Sequence, residues 1–268
     1  MKLKYFSAPY LVWMVVFILV PLLMIAYFAF TNDEGGLTIK YISDVGQHAN
    51  IFVRSIWLAL IATVICLVVA YPVAFILSRM DKHRQGTMLM IVMLPMWMNF
   101  LLRTYAWMTL LGNNGIINHL FGLIGLGPFK LINTSGAVVL GMVYNYLPFM
   151  ILPLYSVMEK IDGSLFEAAS DLGCSSGKTL WRVVVPLSMP GITSGVTMVF
   201  VPAISTFIIS RMLGGGSNLL IGDLIEMQFL GNAYNPHLGA AISLVLMVII
   251  LVIMTVMNQF DPDDQVLM

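Results

Sequence analysis

Residues 159–186 read EKIDGSLFEAASDLGCSSGKTLWRVVVP, a polar interval between two uncharged apolar runs, Gly136 to Met158 and Leu187 to Ser210. A helix crosses the roughly 30 Å hydrocarbon layer with about 20 mostly apolar residues, so the interval reads as a loop joining two membrane helices. Its own pattern is helical. Ser164 followed by Glu167 has capping-box spacing and predicts a helix start. Gly173 is placed to end that helix as a left-handed residue. Ser175 or Ser176 can cap a second short helix through Trp181 and Arg182, with Pro186 limiting its continuation. In the first helix Leu165, Ala169 and Leu172 form an apolar stripe, with Phe166 beside it. Glu167 and Asp171 stand at i, i+4 on another face, where two like charges cost roughly a few tenths of a kcal/mol that a basic partner would relieve. The alanine pair leaves room for a partner surface. A helix lying on lipid headgroups would show a similar pattern.

Working outward, the 268 residues are 59% hydrophobic and 10% charged, against roughly 45–50% and 25% in soluble domains, which excludes a water-soluble protein. Six uncharged or nearly uncharged runs have spanning length: about 10–30, 55–78, 87–112 (interrupted by Arg103), 136–158, 187–210 and 238–260. The first has a longer apolar part than a cleavable signal peptide and reads as a retained helix. None of the six alternates as barrel strands must. The expected class is all-α integral membrane with six transmembrane helices and no soluble domain. Pro21, Pro72, Pro95, Pro148, Pro153 and Pro202 fall inside the runs, and each predicts a kink or break, of the kind transporters place near the bilayer midplane.

Positive charge collects in cytoplasmic loops. Lys2, Lys4, Arg79, Lys82, Arg84, Lys160, Lys178 and Arg182 lie on one side, and Lys40, Arg54, Arg103, Lys130 and Arg211 on the other. Both termini and the 159–186 loop are therefore expected in the cytoplasm. The acidic tail of Asp261, Asp263 and Asp264 does not oppose this, because acids contribute little to the rule. The thirteen basic residues balance the thirteen acidic ones, which gives no ground for a nucleic-acid partner. No G-x-x-x-x-G-K-[ST] cradle occurs; Gly214-Gly215-Gly216-Ser217 lacks the lysine and reads as a flexible outer turn. His48, His83, His119 and His237 have no metal-site spacing, and Cys66 and Cys174 read as reduced and structural. No cofactor and no enzymatic activity are expected, and the twenty-one methionines read as apolar filler.

The run Glu167-Ala168-Ala169, three residues, Gly173, nine residues, then Val183-Val184-Val185-Pro186 resembles the EAA signature of ABC-importer permeases, with valines at the places of its isoleucine and leucine. The resemblance implies a type I ABC importer permease (MetI-like) fold in a bacterial cytoplasmic membrane. It makes Glu167, Ala168, Ala169, Gly173 and Pro186 residues of a coupling loop that seats in a separate ATPase. It also implies a homologous second permease, an ATPase dimer and an extracytoplasmic binding protein as partners. Leu94-Pro95-Met96-Trp97-Met98-Asn99 with Leu102-Arg103-Thr104-Tyr105, Leu147 to Ser156, and Asn218 to Leu230 resemble motifs of the spermidine/putrescine permeases of the PotB type, which implies polyamine import. Importers of ferric ion, sulfate, molybdate or amino acids stand as alternatives, and a stand-alone secondary transporter as another.

Polar groups inside spans are pathway candidates by default. On the third run Asn99, Arg103 and Trp107 recur at i, i+4, i+8 and share one face. At 1.5 Å per residue Arg103 falls about 24 Å from Thr87, near the outer edge, where a snorkelling anchor is the rival reading. Tyr144 with Asn145, and Ser205 with Thr206, are further candidates, as neighbouring-helix bonds are for the same groups. No Asp or Glu lies in any run, so a polycation would depend on aromatic faces such as Trp97, Tyr105, Trp107, Tyr144 and Tyr146, at about 0.5–2 kcal/mol each. Asp223 and Glu226 are expected to draw cations to the outer mouth, and a paired permease to supply any missing carboxylate.

Overall fold

The computed structural model describes residues 8–216, 218–231 and 233–259. Lys2, Lys4, Ser217 and the acidic tail lie outside the described residues, as does the end of the sixth apolar run. The chain is helical, with one isolated antiparallel bridge between Thr31 and Leu37 among the described residues.

Helix α1 (Ala8–Met14) passes through a π-helical turn (Val15–Leu19) into α2 (Val20–Phe30). A short α3 (Lys40–Val45) and a 3-10 turn lead into α4 (Ala49–Ser78). Next come α5 (Lys82–Trp97), α6 (Phe100–Leu111), α7 (Ile116–Leu123) and the long α8 (Ser135–Met158). The polar loop holds α9 (Ser164–Asp171), α10 (Ser176–Thr179), a second π-helical turn (Leu180–Val184) and α11 (Val185–Leu187). The chain ends with α12 (Met189–Ser205), α13 (Ile208–Gly214), α14 (Ile221–Leu230) and α15 (Pro236–Asn258). Among the described residues, four helical stretches are long and apolar enough to cross a membrane: Pro9–Phe30, Lys40–Ser78, Ser135–Met158 and Pro236–Met257. Two bent pairs, Lys82–Trp97 with Phe100–Leu123 at 86° and Ser176–Leu187 with Met189–Ser205 at 69°, bring the number to six if each pair is one span.

The prolines act differently from one another. Pro72 lies inside α4, and Pro148 and Pro153 inside α8, without breaking either helix. The third run does break, at Met98–Asn99, just beyond Pro95, and the fifth at Thr206–Phe207, beyond Pro202. Both π-helical turns end shortly before a proline, Pro21 or Pro186. A proline ring clashes with the carbonyl four residues earlier, and a wider π turn relieves that clash without ending the helix. The second loop helix accordingly runs past Arg182 to Leu187, with Pro186 inside it rather than closing it.

Helices α4, α8 and α12 form the central triangle of the bundle, and α2 packs on α15. On α4 the residues Ala59, Ala62, Cys66, Ala70 and Ala74 recur at three- and four-residue spacing and are all fully buried, a small-residue stripe that lets α8 approach closely. Two apolar cores result. The outer one is built around Leu58, Met142, Ile204, Leu213 and Ile242, and the inner one around Met150, Leu154, Met158, Val184 and Val199.

Candidate functional site

The polar loop ends its first helix on a Schellman motif. Cys174 N–H donates to Ala169 O at 3.0 Å and Gly173 N–H to Ser170 O at 2.8 Å, while Gly173 sits at φ +73°, the left-handed region that favours glycine. The start differs from the capping box read from the sequence. Gly163 is the N-cap, the Ser164 N–H donates to Asp162 Oδ1 at 3.0 Å, and no side chain caps the helix. That hydrogen bond holds the Asp162 carboxyl below its ordinary pKa. An acid two residues upstream serves the Ser164 amide that Glu167 was expected to serve.

The expected apolar stripe is divided. Ala169 is buried and Phe166 half-buried against the inner core, whereas Leu165 and Leu172 are exposed together with Glu167, Ala168 and Gly173. The helix therefore anchors through Phe166 and Ala169 at i, i+3 and presents Glu167, Ala168, Asp171 and Leu172 outward. Of the two alanines, only Ala168 is open to a partner. Pro186 is exposed, and Ser188, fully buried, stands at the 69° bend where its Oγ meets Tyr71 Oη at 2.9 Å.

The third-run candidates lie on two sides of a break, Trp97 before it and Asn99, Arg103, Tyr105 and Trp107 after it. Trp97 ends α5, fully outside the core, and Asn99 occupies the break as the N-cap of α6, its Oδ1 accepting from Leu101 N–H at 2.8 Å and Leu102 N–H at 3.4 Å. The break precedes Asn99, so Arg103 and Trp107 keep their four-residue spacing on α6, and the Arg103 N–H donates to Asn99 O at 3.2 Å. Arg103 is 8% exposed, with its guanidinium 5.8 Å from the Phe100 ring and, among the described residues, no hydrogen-bond partner for Nε or Nη1. A snorkelling anchor would expose that head to water, so this reading is corrected. Trp107 meets Tyr144 edge-on at 5.4 Å, and Tyr105 is exposed. Asn145 is buried, with Nδ2 donating to Gly141 O at 2.8 Å and Oδ1 unpartnered. Ser205 Oγ donates to Val201 O at 3.2 Å, while Thr206 is buried at the fifth-span break.

The outer acids are occupied locally. Asp223 is buried, and its Oδ2 accepts from Ser210 Oγ at 2.6 Å and from Leu220 N–H at 2.8 Å. Glu226 takes Arg211 Nη1 at 2.6 and 2.8 Å. Neither stands free to attract a cation, because burial and pairing are tertiary properties that the outer-loop position did not reveal. Gly222, one residue before Asp223, packs so close to the break that a Cβ there would collide with the Ser205 and Thr206 carbonyl oxygens.

Several participants were not singled out from the sequence. Arg54 bonds Asn218 Oδ1 and Ser135 Oγ, and Ser55 Oγ accepts from Ile221 N–H at 2.9 Å, so α4 and α8 are tied to the loop before α14. On the opposite side Lys82 Nζ lies 2.5 Å from Glu159 Oε1, a hydrogen bond that, with one from Tyr155, keeps the Glu159 carboxyl below its ordinary pKa. From the sequence, Arg54 and Lys82 carry no signal beyond their charge.

Residues 70–263 match the family model described as binding-protein-dependent transport system inner membrane component. Over 247 residues the chain is 38% identical to the spermidine/putrescine transport system permease protein PotB of Haemophilus influenzae, covering 88% of this chain and 86% of that protein. It is 36% identical over 247 residues to the protein of the same name from Escherichia coli, covering 88% and 90%. A chain of a bacterial ABC transporter involved in the import of the acidic polysaccharide alginate superposes with a TM-score of 0.77 at 18% identity, covering 96% of this chain and 93% of that one, a likeness of fold. The chain therefore belongs to the binding-protein-dependent transport system inner membrane components, as a multi-pass permease subunit of an ABC importer that is not itself catalytic.

Proposed function

We propose that this permease imports polyamines of the spermidine and putrescine type and is driven through the 164–182 loop by a separate ATPase dimer. It would cross the membrane six times, each bent pair forming one crossing, with both termini in the cytoplasm. A homologous second permease would complete the pathway and supply the carboxylates that the described spans lack. The observation that carries the coupling part is the outward face of Glu167, Ala168, Asp171 and Leu172 on a helix closed by Gly173. Closure of the ATPases would push this face, and the 69° bend at Ser188 would pass the displacement to α12 as a rocking of the bundle. The charge distribution supports the orientation. The solute rests on the names of the relatives. Trp107 and Tyr144, ring against ring, are the aromatic surface nearest to what ammonium groups need.

A second reading draws on Arg103, whose buried Nε and Nη1 donors have no partner. They favour an anionic solute such as sulfate or molybdate. Uptake of radiolabelled spermidine, putrescine and sulfate by liposomes holding the complete transporter and its binding protein separates the two. Polyamine uptake that needs ATP supports the first reading, and sulfate uptake in its place sinks it.

A further inference from the structure

The residue that ends α4, Arg79, touches three parts of the chain at once. Its guanidinium lies 4.1 Å from the centroid of the Phe166 ring in the outward-presenting loop helix. Nη1 donates to Ile161 O at 3.3 Å, and Nη2 donates to Ile161 O at 3.3 Å and to Met158 O at 3.4 Å. Met158 is the last residue of α8, so these bonds satisfy carbonyls that a helix end leaves open. One turn back on α4, Phe75 meets the same Phe166 ring at 6.2 Å. Phe166 thus meets both the ring of Phe75 and the guanidinium of Arg79, two residues at i, i+4 on one helix face.

From this geometry we infer that Arg79 is a positioning residue for energy coupling, a clamp through which displacement of the 164–171 helix is passed to the inner ends of α4 and α8 together. The inference rests on the coupling role proposed above for that helix. Phe166 and Ala169 are the residues by which the helix faces the bundle, and an alanine methyl gives little to grip. A ring in contact with two side chains of α4 moves with that helix. A planar guanidinium can stack on the ring and bond two carbonyls in the same plane, which an ammonium group on a flexible stem cannot do. Arg79 lies outside the EAA segment, so the clamp adds a residue to those the signature names.

A purely structural Arg79 would only close the end of α8, and Phe166→Leu, which leaves the carbonyl bonds intact, would then be silent. The test uses the complete transporter in liposomes, with basal ATP hydrolysis, its stimulation by spermidine-loaded binding protein, and the amount of ATPase that copurifies. For Arg79→Met and for Phe166→Leu, basal hydrolysis and bound ATPase are expected to stay at the wild-type level while stimulation falls roughly tenfold, within the usual span for coupling between sites. The double variant should be no worse than either single one, and Arg79→Lys should recover only part of the stimulation. Wild-type stimulation in Phe166→Leu overturns the clamp, as does loss of bound ATPase in either variant, which would assign these residues to docking. Glu167→Lys serves as the control. If it keeps both its ATPase and its stimulation, the coupling role itself fails and the clamp falls with it; if it loses them while Arg79→Met does not, only the clamp falls.

Discussion

Asp223 Oδ2 accepts a 2.6 Å hydrogen bond from Ser210 Oγ, fastening the start of α14 to α13, while Oδ1 of the same carboxylate is buried without a partner. Burial holds the carboxyl above its ordinary pKa, although the bonds from Ser210 and Leu220 act in the other direction. A group whose pKa rises on folding lends stability that is present below its unfolded pKa and lost as pH climbs through the folded value. The Asp223 contribution should therefore be lost as pH is raised from about 4, so the wild type in detergent should lose stability relative to Asp223→Asn over that range. Thermal unfolding across a pH series checks this, and parallel curves for the two proteins would contradict it.

Asn99 caps α6 at the third-span break. Losing such a cap costs about 1 kcal/mol. Asn99→Ala is expected to lower the Tm by a few degrees, while Asn99→Asp keeps the acceptor and stays near the wild type. If Asn99→Ala unfolds at the wild-type temperature, the break is held by other contacts.

Arg103 is a buried cation with two donors unserved within the described residues. Removing a buried charge that lacks a partner relieves a desolvation cost. Arg103→Met should thus leave the Tm of the isolated subunit equal or higher. A fall equivalent to about 3 kcal/mol, the cost of breaking a buried pair, would reveal an anionic partner within the chain.

Gly173 sits at φ +73° with open space where a Cβ would be, so Gly173→Ala strains the backbone without a steric clash. The left-handed conformation costs a residue with a Cβ roughly 1–2 kcal/mol. The Schellman turn should fray, and the ATPase should bind the permease roughly five- to tenfold more weakly by titration. Unchanged affinity would detach the turn from docking.

The sequence disclosed what depends on local pattern. The run from Tyr10 to Phe30 reads directly as the helical stretch Pro9–Phe30, and Gly173 as a left-handed terminator, because both follow from chain-neighbour chemistry. It misplaced what depends on packing. Asn99 looked like a polar residue free to face a pathway, whereas its side chain is spent on capping the helix that starts beside it. Asp223 looked like a carboxylate at the mouth because nothing near it in sequence announces Ser210, thirteen residues earlier, as its partner. Phe166, placed beside the stripe rather than in it, turned out to be the anchor, since α4 and α9 meet only in three dimensions.

The central claim is that the face around Ala168 docks on a nucleotide motor in the cytoplasm. Its most direct test is the reactivity of Ala168→Cys, in a chain carrying Cys66→Ala and Cys174→Ser, toward a membrane-impermeant thiol reagent in vesicles of known orientation, with and without the ATPase. Labelling in inside-out vesicles that the bound ATPase suppresses is the expected result. Labelling from the outer face, or labelling indifferent to the ATPase, would contradict the account.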